Sequence, residues 1–238
     1  MSVAVVTGAA SGIGLAIAER LRADGWDVFG VDLSGADLDA DLTTRDGNAA
    51  AVSGAVDRYG GLDAVVANAG FQHVSPIAEF PEDRWDAMLA LLLTSPFLLA
   101  KYAWPHLIAS AGGRFLAVAS VHGLVASPFK SAYVAAKHGV IGLVRTLALE
   151  GAAHGISATA LCPAYVRTPL VERQIADQAR AHGISEDEVL ERVILEPQAV
   201  KRLIEPAEVA ATTAMLLAPE SAAFTGAPVV MDQGWTAR

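Results

Sequence analysis

Residues 3–14, Val3-Ala4-Val5-Val6-Thr7-Gly8-Ala9-Ala10-Ser11-Gly12-Ile13-Gly14, decide how the rest of the chain is read. The first five are apolar or β-branched with no polar alternation, the pattern of a strand covered on both faces. Glycines then let the backbone turn tightly, and residues 12–23 read as a helix. Such a strand–turn–helix unit aims helix N-terminal amides and the positive end of the helix dipole at one point, which suits a pyrophosphate. Gly8, Ser11, Gly12, Ile13 and Gly14 are therefore candidate cofactor contacts. The spacing differs from GxGxxG, and a glycine-rich turn taken alone also serves ordinary chain reversal.

Working outward, residues 27–31 read as a second strand closed by Asp32, which lies 18 residues after Gly14. A carboxylate at that place can accept hydrogen bonds from a ribose diol, and its charge would repel a 2′-phosphate. No arginine stands beside it, so NAD is favoured over NADP. A solvated turn aspartate is the plain alternative. Asp41 and Leu42 are expected to flank the adenine, and Asn68-Ala69-Gly70 ends a later strand on the same edge of the sheet.

The alternation continues along the chain. Residues 62–67, 114–120, 156–161 and 228–231 read as further strands, a long helix starts near Glu82, and residues 133–154 and 206–217 are helical. Gly155 is placed to cap one helix, and Pro206 sits in the first turn of another. Short strands alternating with helices predict one α/β domain, a parallel sheet wound with helices on both faces. Residues 167–203 differ, being charged, helical and without strand signals, and are read as a small helical lid inserted beside the sheet.

Bulk properties narrow the function. A formal net charge of −9 argues against nucleic acid, whose phosphates demand a basic face. The apolar run over residues 88–100 is interrupted by Thr94, Ser95 and Pro96 and falls short of a membrane span, so it reads as a buried helix. A lone cysteine, Cys162, and no basic stretch ahead of the first strand suit a cytoplasmic protein. The six histidines and single cysteine show no metal-ligand spacing, and no metal is expected.

Tyr133 and Lys137 are four apart on one helix and share a face, while Ser120 lies at a strand's C-terminal end, where open α/β sheets place ligands. Taking a hydride from an alcohol requires a base for the hydroxyl proton. Tyrosine, near pKa 10, is too weak at neutral pH unless positive charge lowers it, as an adjacent ammonium and a cationic nicotinamide would. Ser120 would hold the substrate oxygen against Tyr133. A Tyr and Lys at this spacing are also common on plain helix surfaces, and only the whole set argues for chemistry.

The segments TGAASGIG, NAG and CPAYVRTP, with Ser120, Tyr133 and Lys137, resemble the short-chain dehydrogenase/reductase family over essentially the whole chain. The resemblance implies a Rossmann-type core and a homotetramer packed through the long fourth and fifth helices and the C-terminal region. It further implies that Pro163, Val166 and Thr168 reach the nicotinamide and that Lys137 also binds its ribose. Three departures stand out. Leu92 occupies the position of the family's helix asparagine, which leaves the usual proton relay in doubt. The loop glycine after Pro163 is Ala164, and residues 33–44 are short, so one helix and part of a strand are expected to be abbreviated.

The stretches SVHGLVASPFKSAYVAAKHGV, CPAYVRTPLVERQI and QGWTAR are similar, more narrowly, to the branch of that family that oxidises (R)-3-hydroxybutyrate. That likeness implies substrate contacts at Gln72, His122, Lys130, Gln174 and Trp235. The chemistry agrees with a small anionic hydroxy acid. Lys130 falls just ahead of a helix whose N-terminal end disfavours a cation by roughly 0.3–1 kcal/mol, a cost that a carboxylate would offset. Gln174, on the lid, is expected to meet substrate only on closure. Plain alternatives remain: a solvated Lys130, Gln72 serving its own loop, Trp235 in interface packing. Two rival functions also stay open, a relative acting on another alcohol or hydroxy acid and a nucleotide-binding protein without turnover.

Overall fold

The computed structural model describes every residue except Ala111 and Arg238, and Arg173 without its side chain. Seven strands are paired in parallel in the order β3-β2-β1-β4-β5-β6-β7: β1 Val3–Thr7, β2 Asp27–Asp32, β3 Leu38–Asp39, β4 Ala64–Ala67, β5 Arg114–Val118, β6 Ser157–Pro163 and β7 Pro228–Met231. This is the expected Rossmann-type architecture. The direction of winding reverses between β1 and β4, and the crevice at such a switch point is where open α/β sheets take ligands.

The strand sequences explain the two covered faces. Successive side chains point to opposite sides, so Val3 and Val5 join one core while Ala4 and Val6 join the other. Phe115 and Ala117 divide from Leu116 and Val118 in the same way. The first core is closed by α2 (Arg45–Tyr59), α4 (Ser95–Ala109) and α5 (Ser131–Gly151), the second by α1 (Gly12–Ala23) and α8 (Pro206–Leu217). Strands buried on both sides are mostly apolar, which is why they read so plainly.

Several boundaries differ from expectation. β4 starts at Ala64 and β5 ends at Val118, each two residues inside its expected span. α5 begins at Ser131 and its last turn tightens into a 3-10 turn, Ala152–His154, before Gly155 caps it at φ +70°. α2 has no clear apolar period in its sequence, RDGNAAAVSGAVDRY. No helix separates β2 from β3, and β3 has two residues, so the abbreviation near residues 33–44 is present.

The long helix runs through the expected interruption rather than stopping there. α3 (Glu82–Leu89) passes into a π turn, Ala90–Thr94, and directly into α4. Pro96 follows this π turn directly, at the start of α4. The continuous helix Glu82–Ala109 is long and apolar enough to span a bilayer, yet Leu98, Leu99, Ala100, Ala103 and Leu107 are buried against the sheet.

Between β6 and α8 stand α6 (Pro169–His182), α7 (Glu186–Val189) and a second π turn, Leu190–Ile194. Thr168 caps α6 with Pro169 behind it, and Ser185 and Glu188 form a capping box on α7. This segment has its own small core, with Val171, Val189, Ile194 and Leu203 packed around Tyr165.

Candidate active site

A cleft of about 680 Å³ crosses the C-terminal edge of the sheet at the switch point. Its nucleotide end is largely backbone. Gly8, Ser11, Gly12 and Ile13 line it, while Gly14 lies beneath them. A Cβ on Gly14 would sit 2.0 Å from the Gly8 carbonyl oxygen, so only glycine lets the helix start this close to the strand end. Asn68 ties the neighbouring turn to β1: its side-chain nitrogen donates to the Thr7 carbonyl at 2.8 Å, and Thr7 Oγ1 accepts from the Asn68 and Ala69 amides.

Asp32 closes β2 with one carboxylate oxygen accepting from the Ala10 amide (3.0 Å) and the other from the Leu33 amide (2.7 Å). Its charge thus props the glycine loop and still faces the cleft, as do Asp41, Leu42, Asn68, Ala69, Gly70, Pro163, Val166 and Thr168. A glycine cradle, a carboxylate at one end and a long groove leading to a tyrosine fit a nicotinamide dinucleotide.

At the middle of the cleft, Ser120 follows β5 and caps the 3-10 turn Val121–Gly123, accepting from the His122 amide at 3.1 Å. Lys137 Nζ donates to the Val118 carbonyl at 2.7 Å and lies 5.6 Å from the centre of the Tyr133 ring. Burial pushes the Tyr133 phenol up to about 12, although the neighbouring Ser120 side chain pulls the other way. Burial brings Lys137 down to about 8. The sequence reading expected the lysine to lower the tyrosine. Within the chain alone burial wins, because the ammonium is engaged with a backbone carbonyl rather than with the phenol.

Leu92 now has a structural account. It is 1% exposed, packed with Met88, Ala132 and Ala136 inside the first π turn, and it lines the cleft. A Cβ at Gly70 would come within 2.8 Å of Leu92 Cδ2, so the leucine presses directly on the Asn68–Gly70 turn. Its side chain seals that wall and offers no hydrogen bond.

The substrate end is made of side chains from separate segments. His122 is buried, its Nε2 is 2.9 Å from Ser127 Oγ, and burial with nearby Lys130 drives its pKa down to about 3. Lys130 occupies the N-cap of α5 and is 3% exposed, and none of the ion pairs among the described residues involves it. Its Nζ donates to Tyr165 Oη at 2.6 Å. Gln72 lines the cleft with its buried Oε1 lacking a partner.

Two placements extend the sequence reading. Gln174 already lines the cleft from α6 and is buried, because the helical segment packs down through its own core. Trp235 does not line the cleft. It stands one layer behind, stacked on Tyr165 with ring centres 6.0 Å apart and edge-on to His122 at 5.4 Å. Tyr165, which does line it, was missed. The available signal was its place two residues after Pro163, on the loop leaving β6.

Comparison with known proteins agrees with this arrangement. The family model for short chain dehydrogenases matches residues 2–179. The chain is 44% identical to a D-beta-hydroxybutyrate dehydrogenase of Rhizobium meliloti, covering 99% of this chain and 98% of that protein. It is 40% identical, with the same coverage, to a D-beta-hydroxybutyrate dehydrogenase of Cupriavidus necator. The ligand-free aldohexose dehydrogenase of Thermoplasma acidophilum superposes with a TM-score of 0.90 at 30% identity, over 100% of this chain and 94% of that one. The chain belongs to the short-chain dehydrogenase family, oxidoreductases that bind a nicotinamide cofactor on a Rossmann-type sheet.

Proposed function

We infer that the protein interconverts (R)-3-hydroxybutyrate and acetoacetate with NAD as redox partner. The observation that carries this reading is Lys130, a buried cation at a helix N-cap, without a carboxylate partner among the described residues, in the same cleft as Ser120 and Tyr133. Burying an uncompensated charge is costly, and the helix end adds to the cost. A substrate carboxylate offsets both. The names of the two hydroxybutyrate dehydrogenases supply the substrate and its handedness.

The residues divide the work. Gly8, Ser11, Gly12 and Ile13 offer the pyrophosphate site, and Asp32 selects a free ribose diol, hence NAD over NADP. Bound nicotinamide supplies the hydride acceptor and a positive charge. Ser120 orients the substrate oxygen, and Tyr133 exchanges its proton. With its phenol near 12, Tyr133 is a proton donor as it stands, the form that reduction of a ketone uses. Oxidation uses the phenolate, so positive charge from Lys137 and nicotinamide must bring that value down. Lys137 is also placed for the ribose, and Thr168, Pro163 and Val166 for the nicotinamide. Gln72, His122, Lys130 and Gln174 hold the carboxylate end, with Trp235 as backing.

The helices over residues 167–203 act as the lid that excludes water. Assembly as a homotetramer is supported by exposed Phe97 and Ile108 on α4, Leu149 on α5, and Met215 and Val230 near the C-terminus. The test compares kcat/KM for (R)-3-hydroxybutyrate and neutral 2-butanol in wild type and Lys130→Ala. The reading requires a selective loss on the acid. An acid rate untouched by Lys130→Ala would overturn it and point to another alcohol.

A further inference from the structure

The substrate end holds a second tyrosine–lysine pair, whose tyrosine has no part in the steps above. Tyr165 Oη accepts from Lys130 Nζ at 2.6 Å, and the same nitrogen sits 4.7 Å from the centre of the Tyr165 ring. A lysine side chain is long, and its three donors can satisfy many geometries. What limits this one is the post on which it rests.

That post is rigid for identifiable reasons. The Tyr165 carbonyl accepts from the Ile204 amide at 2.9 Å, and Val166 bridges to Ile204, which pins the backbone on both sides of the loop. The ring is 6% exposed, stacked on Trp235 at an interplanar angle of 14° and edge-on to His122 at 6.1 Å. On the lysine side, Phe129 is held at φ +66°, an unfavourable backbone for an aromatic residue, by the Ser75 amide on its carbonyl and by His182 against its ring. Both partners of the bond are thus fixed from outside it. One N–H of the ammonium is taken by the phenol and two remain for an anion.

Resting on the reading of Lys130 as the carboxylate site, we propose that Tyr165 is the specificity-determining positioning residue of this cleft. Its hydroxyl holds the Lys130 ammonium at one point, so that the cleft favours short hydroxy acids over neutral alcohols of the same size. The ring itself, with Trp235 behind it, sets the far wall. Preorganising a charged donor raises affinity by removing the cost of ordering it at the moment of binding.

Two variants separate hydroxyl from ring. Tyr165→Phe keeps the stack and removes the acceptor. Tyr165→Trp keeps a large aromatic face and likewise offers Lys130 no acceptor. Both are expected to raise KM for (R)-3-hydroxybutyrate about tenfold, the scale of one hydrogen bond to a charged group, with kcat changed less than about twofold. NADH affinity and the rate on 2-butanol should hold, so preference for the acid falls by the same factor. Adding Tyr165→Phe to Lys130→Ala should cost nothing further, since both act on one contact. An unchanged KM in Tyr165→Phe, beside a raised KM in Lys130→Ala, would overturn this proposal alone. A KM unchanged in both would sink the carboxylate site with it. A joint fall in kcat, NADH affinity and Tm in both variants would show a structural role and also overturn it.

Discussion

At the nucleotide end of the cleft, the groups that face the ligand are mostly main chain: the Gly8–Ile13 turn, the Asn68–Gly70 turn and the amides that Asp32 holds in place. At the substrate end they are side chains delivered from four separate places: the loop after β4, the turn after β5 with the N-cap of α5, the loop after β6, and α6. The first end is anchored by one local strand–turn–helix unit that a dozen consecutive residues build. The second exists only after the fold has brought Gln72, His122, Lys130, Tyr165 and Gln174 together. A backbone site suits a ligand common to a whole family, and a side-chain site can be changed residue by residue without disturbing it.

Substitutions can pull the two ends apart. The largest effect is expected where they meet: Tyr133→Phe should lower kcat by roughly 10²–10⁴-fold, the usual share of a positioned acid–base group, while NADH still binds. Substantial turnover in that variant would remove the phenol from the chemistry. Lys130→Ala breaks the substrate end alone, raising KM for the acid about 10–100-fold, the range for a hydrogen bond to a charged group, with NADH affinity intact. Gly14→Ala does the converse. A Cβ placed 2.0 Å from the Gly8 carbonyl must spread the loop, at about 1–3 kcal/mol, and should weaken NADH binding first. Equal damage to both ends from either change would dissolve the distinction.

Smaller effects sharpen it. Asp32→Ala should erode the preference for NAD over NADP by about tenfold in kcat/KM ratios, leaving the acid-over-alcohol preference unmoved. Acid stability probes the substrate end without any ligand. His122 is held at about 3, below its ordinary 6.5, so the unfolded chain takes up this proton first as the pH falls. The contribution is fully present above 6.5 and is lost progressively toward 3, costing about 1 kcal/mol by one unit below 6.5. Thermal melts of wild type and His122→Asn at neutral and mildly acidic pH would show it as a shallower acid slope in the variant.

The same contrast explains what could be read in advance. β1, β4, β5 and β6 announce themselves because both faces are buried, so apolar residues dominate them and only Thr7, Arg114, Ser157 and Thr159 are polar. The glycine loop is legible because Gly8 and Gly14 answer to local backbone geometry. α2 was harder to see, since Asp46, Gly47, Asn48, Gly54 and Asp57 break its apolar pattern, and its packing decides the matter. The helix through Pro96 depended on the π turn before it, which no periodicity signals.

In the site, Ser120, Tyr133 and Lys137 are close in sequence and on neighbouring elements, so their convergence was foreseeable. The hydrogen bond from Lys130 to Tyr165 spans two segments, and Trp235 stands behind Tyr165 with the two rings stacked. The upward push of burial on the Tyr133 phenol is likewise invisible in the sequence. Sequence placed a lysine one turn away, while the fold gave that lysine a carbonyl to bind.

The most direct test of the central claim follows NADH formation from (R)- and (S)-3-hydroxybutyrate, each with NAD and with NADP. The account predicts turnover with the (R)-acid and NAD, and little with the other three combinations. Equal turnover of both enantiomers, a preference for NADP, or inactivity on both acids while 2-butanol is oxidised would contradict it.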